Sequence, residues 1–308
     1  MVGPAPERST VLGTSVPSEN NCDMKSYGWE LQIGWRDQIK DFKYGVSFNI
    51  SDAQQKVTRY PNESGYLGYY YNGRKLGEIW GYTTEGIAQS REEMEEHLAK
   101  ANQSSLGSNW DAGDIMYKDL NNDGKVNNGA YTLEDHGDLR VIGNSTPRYN
   151  FGLNLDASWK GFDLRMFFQG TLKRDLWLNG VYFWGADGGF WQSNAFKEHL
   201  DYWTEDNRGA YYPRPLYSSK NKQTQTRYLQ NGAYMRLKNL TVGYTLPKSI
   251  TMKAGMSRVR VYVACENLFT LTSLSKIFDP ENIGSLYGSA GKTYPLQSTV
   301  SLGLNVNF

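Results

Sequence analysis

Tyr149-Asn-Phe-Gly-Leu-Asn-Leu-Asp-Ala-Ser-Trp159, followed across Lys160-Gly161 by Phe162-Asp-Leu-Arg-Met-Phe-Phe168, decides the fold. Tyr149, Phe151, Leu153, Leu155, Ala157 and Trp159 share one side of an extended chain, and Asn150, Asn154, Asp156 and Lys160 share the other. After the tight connection the alternation resumes with Phe162, Leu164, Met166 and Phe168. Successive side chains of a strand point to opposite faces, so a period of two predicts strands with one apolar and one polar face.

The same pattern recurs outward in both directions. Trp29, Leu31, Ile33 and Trp35 alternate before it, as do Phe42, Tyr44, Val46, Phe48 and Ile50. Val259, Val261, Val263 and Cys265 alternate after it, and Val300, Leu302, Leu304, Val306 and Phe308 end the chain. Segment 233–246 changes phase: Met235 and Leu237 are odd, whereas Leu240, Val242, Tyr244 and Leu246 are even. One extra residue near Lys238-Asn239 restores the facing, which is the work of a β-bulge. About seven strands are therefore expected.

Connections alternate between short (37–41, 160–161, 247–256) and long (52–147, 171–232, 268–296). Short turns at one end and long loops at the other describe an outer-membrane barrel, whereas a soluble sandwich shows turns every 8–12 residues. With the short turns periplasmic, residues 1–28 fall in an extracellular loop and at least one strand is missing upstream. The start, Met1-Val-Gly-Pro, has no apolar export segment,. The expected fold is thus all-β: an antiparallel transmembrane β-barrel segment with long extracellular loops containing short helices. Residues 1–308 are expected to be the C-terminal portion of that barrel.

Composition fits this reading. Hydrophobic residues make up 39%, against roughly 45–50% in average soluble domains,. Aromatics reach 14% and glycines number 32, the rings and small residues that girdles, turns and polar loops use. Balanced charge, 33 Lys+Arg against 32 Asp+Glu, argues against a nucleic-acid binder,. Cys22 and Cys265 are too few for a disulfide framework and are expected as free thiols,.

The first long loop carries a tyrosine patch (Tyr66, Tyr69, Tyr70, Tyr71) and a helix start, Ser90-Arg-Glu-Glu93, that forms a capping box,. Glu92, Glu93, Glu95 and Glu96 are expected on its solvated face. Next comes Asp119-Leu-Asn121-Asn-Asp123-Gly-Lys125-Val-Asn127, the first half of a calcium loop. Oxygen side chains at positions 1, 3 and 5 converge on a hard cation, Gly at 6 makes the sharp turn, and Lys125 offers its carbonyl. Position 12 is Ala130 instead of an acid, so Glu134, Asp135 or Asp138 must close the site across a bulge. The competing reading is an Asx-rich turn without metal. The second long loop is crowded with rings, among them Trp177, Tyr182, Trp184, Trp191, Tyr211 and Tyr212. These either contact a ligand or partner, or serve as loop packing and interfacial girdle.

His97, His136 and His199 lie in separate contexts without ligand spacing, and no Gly-x-Ser-x-Gly, phosphate loop or His-Glu-x-x-His occurs,. No enzyme is indicated.

The chain resembles the C-terminal part of the SusC/RagA family of TonB-linked outer-membrane transporters. The likeness rests on Lys25-Ser-Tyr-Gly-Trp-Glu30, Ile79-Trp-Gly-Tyr-Thr-Thr-Glu-Gly86 and Ala112-Gly-Asp-Ile-Met-Tyr-Lys-Asp-Leu-Asn-Asn-Asp-Gly124. It continues through Asp138-Leu-Arg-Val-Ile-Gly143, Tyr234-Met-Arg-Leu-Lys-Asn-Leu-Thr-Val-Gly-Tyr-Thr-Leu-Pro247, Glu266-Asn-Leu-Phe269 and Asp279-Pro-Glu281, in family order. In the family the closing acid of the calcium-like loop directly precedes the Arg-x-Val-Ile-Gly stretch, the place Asp138 holds here behind an insertion. The resemblance implies a 22-stranded barrel in the cell outer membrane, in contact with its lipid, that imports oligosaccharide or peptide cargo with a SusD-like surface lipoprotein. It also implies TonB engagement and a plug through an N-terminal region that this chain is expected to lack. Leu304, Val306 and Phe308 look like the β-signal read by the barrel-assembly machinery. A second reading is a secreted or surface β-sheet carbohydrate-binding module with a calcium-braced loop. Facing separates the two: the apolar rows meet lipid in a barrel and a core in a sandwich.

Overall fold

The computed structural model describes residues 11, 13, 19–185, 195–284 and 293–308. The chain opens with β1 (Asp23–Ile39) and β2 (Phe42–Arg59). The first long loop holds β3 (Glu78–Gly81), β4 (Thr84–Ile87), helix α1 (Arg91–Lys100), β5 (Ile115–Tyr117) and β6 (Arg140–Asn144). Next come β7 (Arg148–Trp159) and β8 (Phe162–Lys173), then β9 (Asp175–Leu176) and β10 (Gln230–Asn231) within the second loop. β11 (Tyr234–Thr245), β12 (Arg258–Thr272) and β13 (Thr299–Asn307) complete the order. Seven of these strands form one antiparallel sheet, β1-β2-β7-β8-β11-β12-β13, the wall of the molecule.

Register aligns the apolar positions from strand to strand. One row runs Trp35, Val46, Leu155, Met166, Leu240, Cys265 and Val300 across all seven strands. Nearer the short turns lie Tyr44, Ala157, Leu164, Val242, Val263 and Leu302, then Phe42, Trp159, Phe162, Tyr244, Val261 and Leu304. Aromatic rings thus collect at the short-turn end: Phe42 stacks on Tyr44 at 5.7 Å, and Phe162 meets Tyr244 at 4.5 Å. Much of the outward face is exposed, Trp35 to 64% and Leu302 to 79%. The opposite face is polar, with Gly45, Asp156, Arg165, Thr241, Ala264 and Ser301 in one row. There Arg260 reaches across Gly243 to pair with Asp163, and a Cβ on Gly243 would stand 2.4 Å from the guanidinium.

The expected bulge is present. Leu237 faces Phe168 and Phe269, yet Asn239 faces Phe167 and Glu266, so Lys238 is the extra residue that switches phase,. Among the described residues Cys22 and Cys265 form no disulfide. One boundary differs: β1 begins at Asp23, inside the stretch expected to be loop. Residues 23–30 pair with 51–59 of β2, where polar side chains occupy both faces. With polar side chains on both sides, this continuation of the β1–β2 ladder carries little of the period-two alternation from which strands are read,. Neither β1 nor β13 has a second neighbour among the described residues.

Lys160 (φ +45°) and Gly161 (φ +93°) join the Trp159–Phe162 pair, both left-handed as a two-residue hairpin requires,. Gly161→Ala should destabilise this hairpin by about 1–3 kcal/mol. A lowered thermal unfolding temperature of the folded protein checks this, and Lys160→Asn, which suits its φ, should leave that temperature unchanged.

Candidate functional site

The buried core lies in the loops and not on the wall. Tyr117 and Tyr228 are fully buried, and Phe183 is ringed by Trp184, Tyr212, Tyr228 and Phe278 at 5.2–6.5 Å. All three long loops contribute: Leu67 to Leu139 from the first, Leu176 to Tyr228 from the second, and Leu274, Phe278 and Ile283 from the third. Helix α1 closes one side. Ser90 Oγ accepts from Glu93 N at 3.2 Å, as the capping signature predicts, while the Glu93 carboxylate accepts from Gln89 N at 2.6 Å, one residue before the cap. Met94 and His97 are its buried residues, and the acidic run faces solvent.

A charged cluster clasps the first loop to the second. Fully buried Asp114 accepts from Arg214 Nε at 2.9 Å, Arg214 Nη2 at 2.6 Å and Asn221 Nδ2 at 2.9 Å. Lys220 Nζ lies 2.8 Å away, also bound by the Ser108 and Asn109 carbonyls and set over the Trp110 ring. Burial alone would raise the Asp114 carboxyl, but Arg214, Lys220 and Asn221 outweigh it and hold the group below its ordinary value. A second cluster ties the third loop to the inner wall. Arg236, 4% exposed, donates to Asp279 at 2.9 Å and to Glu281, and Lys238 on the bulge reaches Glu281 at 3.1 Å. Burial raises the Asp279 carboxyl, while the Glu281 amide, Arg236 and the Leu296 amide more than offset it, leaving it lowered.

The calcium-like loop is a set of Asx turns. Asp119 accepts from the amides of Asn122 (2.7 Å) and Gly124 (2.8 Å), Asn121 Oδ1 from Asp123 N (3.0 Å), and Asp123 Oδ1 from Lys125 N (2.8 Å). The displaced acid does return: Asp138 is fully buried beneath the loop and accepts from Leu120 N at 2.7 Å and Asn127 N at 2.8 Å. Burial pushes its carboxyl up, and the neighbouring Asp119 charge adds to this. Among the described residues no group of three or more His, Cys, Asp or Glu is gathered as a preformed metal cage.

The six ring residues expected to contact a ligand divide. Trp184 and Tyr212 are buried, Trp177 and Tyr182 pack on the same core, and Trp191 lies outside the described residues. Tyr211, 37% exposed, spends its hydroxyl on Gln230. These rings face one another, so loop packing accounts for most of them. In the terminal strand Leu304 and Val306 stand on the outward face opposite Val261 and Val259, and Phe308 is 92% exposed. Sequence reasoning missed both charge clusters. The available signal was an isolated acid in an apolar setting, as in Ala112-Gly-Asp114-Ile-Met-Tyr117, and Arg236 and Lys238 flanking the phase change.

A sheet with one largely exposed apolar face, a polar face behind it and a packed body of loops at one end defines a wall-and-loop class of β protein. The chain is similar to TonB-dependent receptors. It is 29% identical to TonB-dependent receptor P3 of Formosa agariphila over 99% of its own length and 30% of that receptor's. TonB-dependent receptor P26 of the same organism is 30% identical over 64% of the chain, and SusC of Bacteroides thetaiotaomicron 22% identical over 94%. The solved RagAB peptide transporter superposes over 98% of the chain with a TM-score of 0.68 at 25% identity. No family model matches the chain. The chain spans about 30% of the length of the first of these curated relatives. They are receptors and transporters rather than enzymes, in agreement with the missing catalytic constellations.

Asp114→Asn should destabilise the loop body by about 3–5 kcal/mol, because Arg214 and Lys220 keep buried charges without their partner. With its folded value below the unfolded one of about 3.9, Asp114 contributes stability above pH 4 that is lost as pH falls through the folded value. Protease protection of residues 108–222, followed on acidification, should fall below pH 4 in the parent. In the variant protection should be weak already at neutral pH.

Proposed function

We propose that the chain forms part of the outer-membrane barrel wall of a SusC/RagA-type, TonB-dependent nutrient importer. The observation that carries this is the outward face: apolar rows that continue from strand to strand, one of them across all seven, rimmed with rings at the short-turn end and largely exposed. In water such a face demands a second sheet, as a sandwich provides. Among the described residues none packs on it, which disfavours the soluble binding-module reading. In lipid the same face is at home, the polar face lines the lumen, and the loop body stands outside the cell. Lipid cannot satisfy a bare strand edge, so the edges of β1 and β13 pair with the remaining strands of a 22-stranded receptor. A SusD-like lipoprotein meets the loop body, TonB drives the cycle, and the cargo is an oligosaccharide or peptide.

Val242→Arg, on the outward face of a central strand, should oppose insertion by about 2–4 kcal/mol near the midplane. Thr241→Arg, one residue away on the lumen face, should be tolerated. The comparison is the amount of folded full-length receptor in outer-membrane fractions, and equal loss from both variants, or from neither, would refute the facing.

A separate proposal concerns calcium. Asp138 is a buried carboxylate beside Asp119, and neither has a cationic partner among the described ion pairs, a deficit that a divalent cation would relieve. Asp119, Asn121, Asp123, the Lys125 carbonyl and Asp138 would hold it, bracing the loop. Calorimetry on the purified receptor should show Ca²⁺ binding that Asp123→Ala abolishes. Equal heats from the two proteins would leave the loop braced by its Asx turns alone.

A further inference from the structure

Lys25, Lys56 and Lys75 form one row across the long-loop end of the wall. Lys25 stands directly opposite Lys56 in the β1–β2 ladder, and Lys75, from the loop that follows β2, stands opposite Lys56 on its other side. Two backbone hydrogen bonds hold Lys75 in that register: Val57 N donates to the Arg74 carbonyl at 2.9 Å, and Leu76 N to the Gln55 carbonyl at 3.0 Å. Pairing runs without a shift from Met24–Val57 to Ile39–Phe42, so Lys25 shares its face with Tyr27, Trp29 and Leu31,. The row therefore stands on the outward side, just beyond the apolar rows, and all three lysines are exposed.

Like charges directly opposite one another on a sheet repel and weaken the pairing. Here two such pairs share Lys56, in a chain with almost as many acids as bases. Acids close to them in the chain have other partners. Asp23 pairs with Arg59 at 2.8 Å, Asp52 pairs with Arg148, and Glu78 accepts from the Tyr71 hydroxyl at 2.6 Å and the Lys75 amide at 2.9 Å. Among the described residues none of the three ammonium groups is in an ion pair. A local conflict that the fold leaves standing marks a place shaped for something else.

The surface next to the row is apolar. Tyr27 is 43% exposed and Trp29 50%, and Trp29 meets Tyr149 of β7 at 6.5 Å. The Arg148 guanidinium lies 5.1 Å from the centre of the Tyr149 ring, its charge already balanced by Asp52. These rings form a second aromatic belt, opposite the one at the short turns. From Trp159 to Tyr149 strand β7 climbs roughly 25 Å at the usual rise and tilt, the height of an apolar membrane band. The lysines come one outward position beyond Tyr27, at the level where headgroups begin.

We infer that the row binds the phosphate groups of an outer-leaflet lipid whose acyl chains lie along Tyr27, Trp29 and Leu31. The inference rests on the wall reading for its membrane setting. Charge and shape choose the occupant. Lysines at about 5 Å cross-strand spacing suit phosphate esters carried on one headgroup, which an ammonium binds as a point charge. A free phosphate would leave the ring-lined strip unused. An acidic protein would have to lie at the depth of the acyl chains to cover that strip.

Full receptor is scored first for outer-membrane assembly, so a failure of the wall reading is seen separately. It is then purified in dodecyl maltoside, and its thermal unfolding temperature is followed on adding diphosphoryl lipid A, or inorganic phosphate at equal phosphate concentration. The parent should gain several degrees with lipid A and far less with inorganic phosphate. Lys56→Gln removes both repulsive pairs, so without lipid it should unfold no lower than the parent, yet lose most of the gain from lipid A. Lys56→Arg should keep that gain, and Lys25→Gln, on the facing strand, should lose part of it independently. No gain in the parent, an equal gain in Lys56→Gln, or an equal gain from inorganic phosphate overturns the proposal. So does a Lys56→Gln protein that unfolds below the parent without lipid, which would make the lysine a structural support.

Discussion

A strand shows its side chains alternately to two faces, so every apolar row of this wall depends on its neighbours keeping one register. A slip of a single residue would turn a strand's apolar set to the polar side. Here the rows hold from Trp35 to Val300, and the phase change within β11 is corrected locally by Lys238. The correction has a second use. The extra residue turns a lysine toward the third loop, where with Arg236 it meets Asp279 and Glu281. Register and loop anchorage therefore share one irregularity.

The polar face is organised by the same economy of space. Gly243 leaves room for Arg260 to lie across its strand and reach Asp163, so an ion pair spans strands that are not adjacent. The loop body inverts the usual division of labour. Its interior combines fully buried rings with a fully buried carboxylate, and Asp114 is tolerated there because three side chains and the Asp111 amide surround it with donors,. Removing water from such a cluster makes it expensive to break, so the two loops it joins behave as one unit.

Much of this was legible in the sequence, for physical reasons that differ by region. Strands such as 149–159 announce themselves because a two-sided environment forces alternation, and even the bulge appears as a shift in parity near Lys238. The upper parts of β1 and β2 were not legible, since both faces there are polar and no environment writes a period into Ser51 to Lys56. The loop rings were visible as a crowd, but sequence alone cannot say whether Trp184 or Tyr69 faces inward; the structure buries the first and exposes the second. The calcium-like loop was legible in its first half. Asp138 returns as its closing acid only through folding of the inserted residues between them.

The loop core is assembled from three stretches of chain that the wall strands keep far apart in sequence. Each of the three contributes side chains that pack against the others. Phe183 needs Phe278 from the third loop, and Asp114 needs Arg214 from the second. The loop body can therefore mature only after the strands beneath have been joined in their proper order. A sheet with a misplaced strand would leave these loops open and protease-sensitive, so the finished body certifies that the wall below was built correctly.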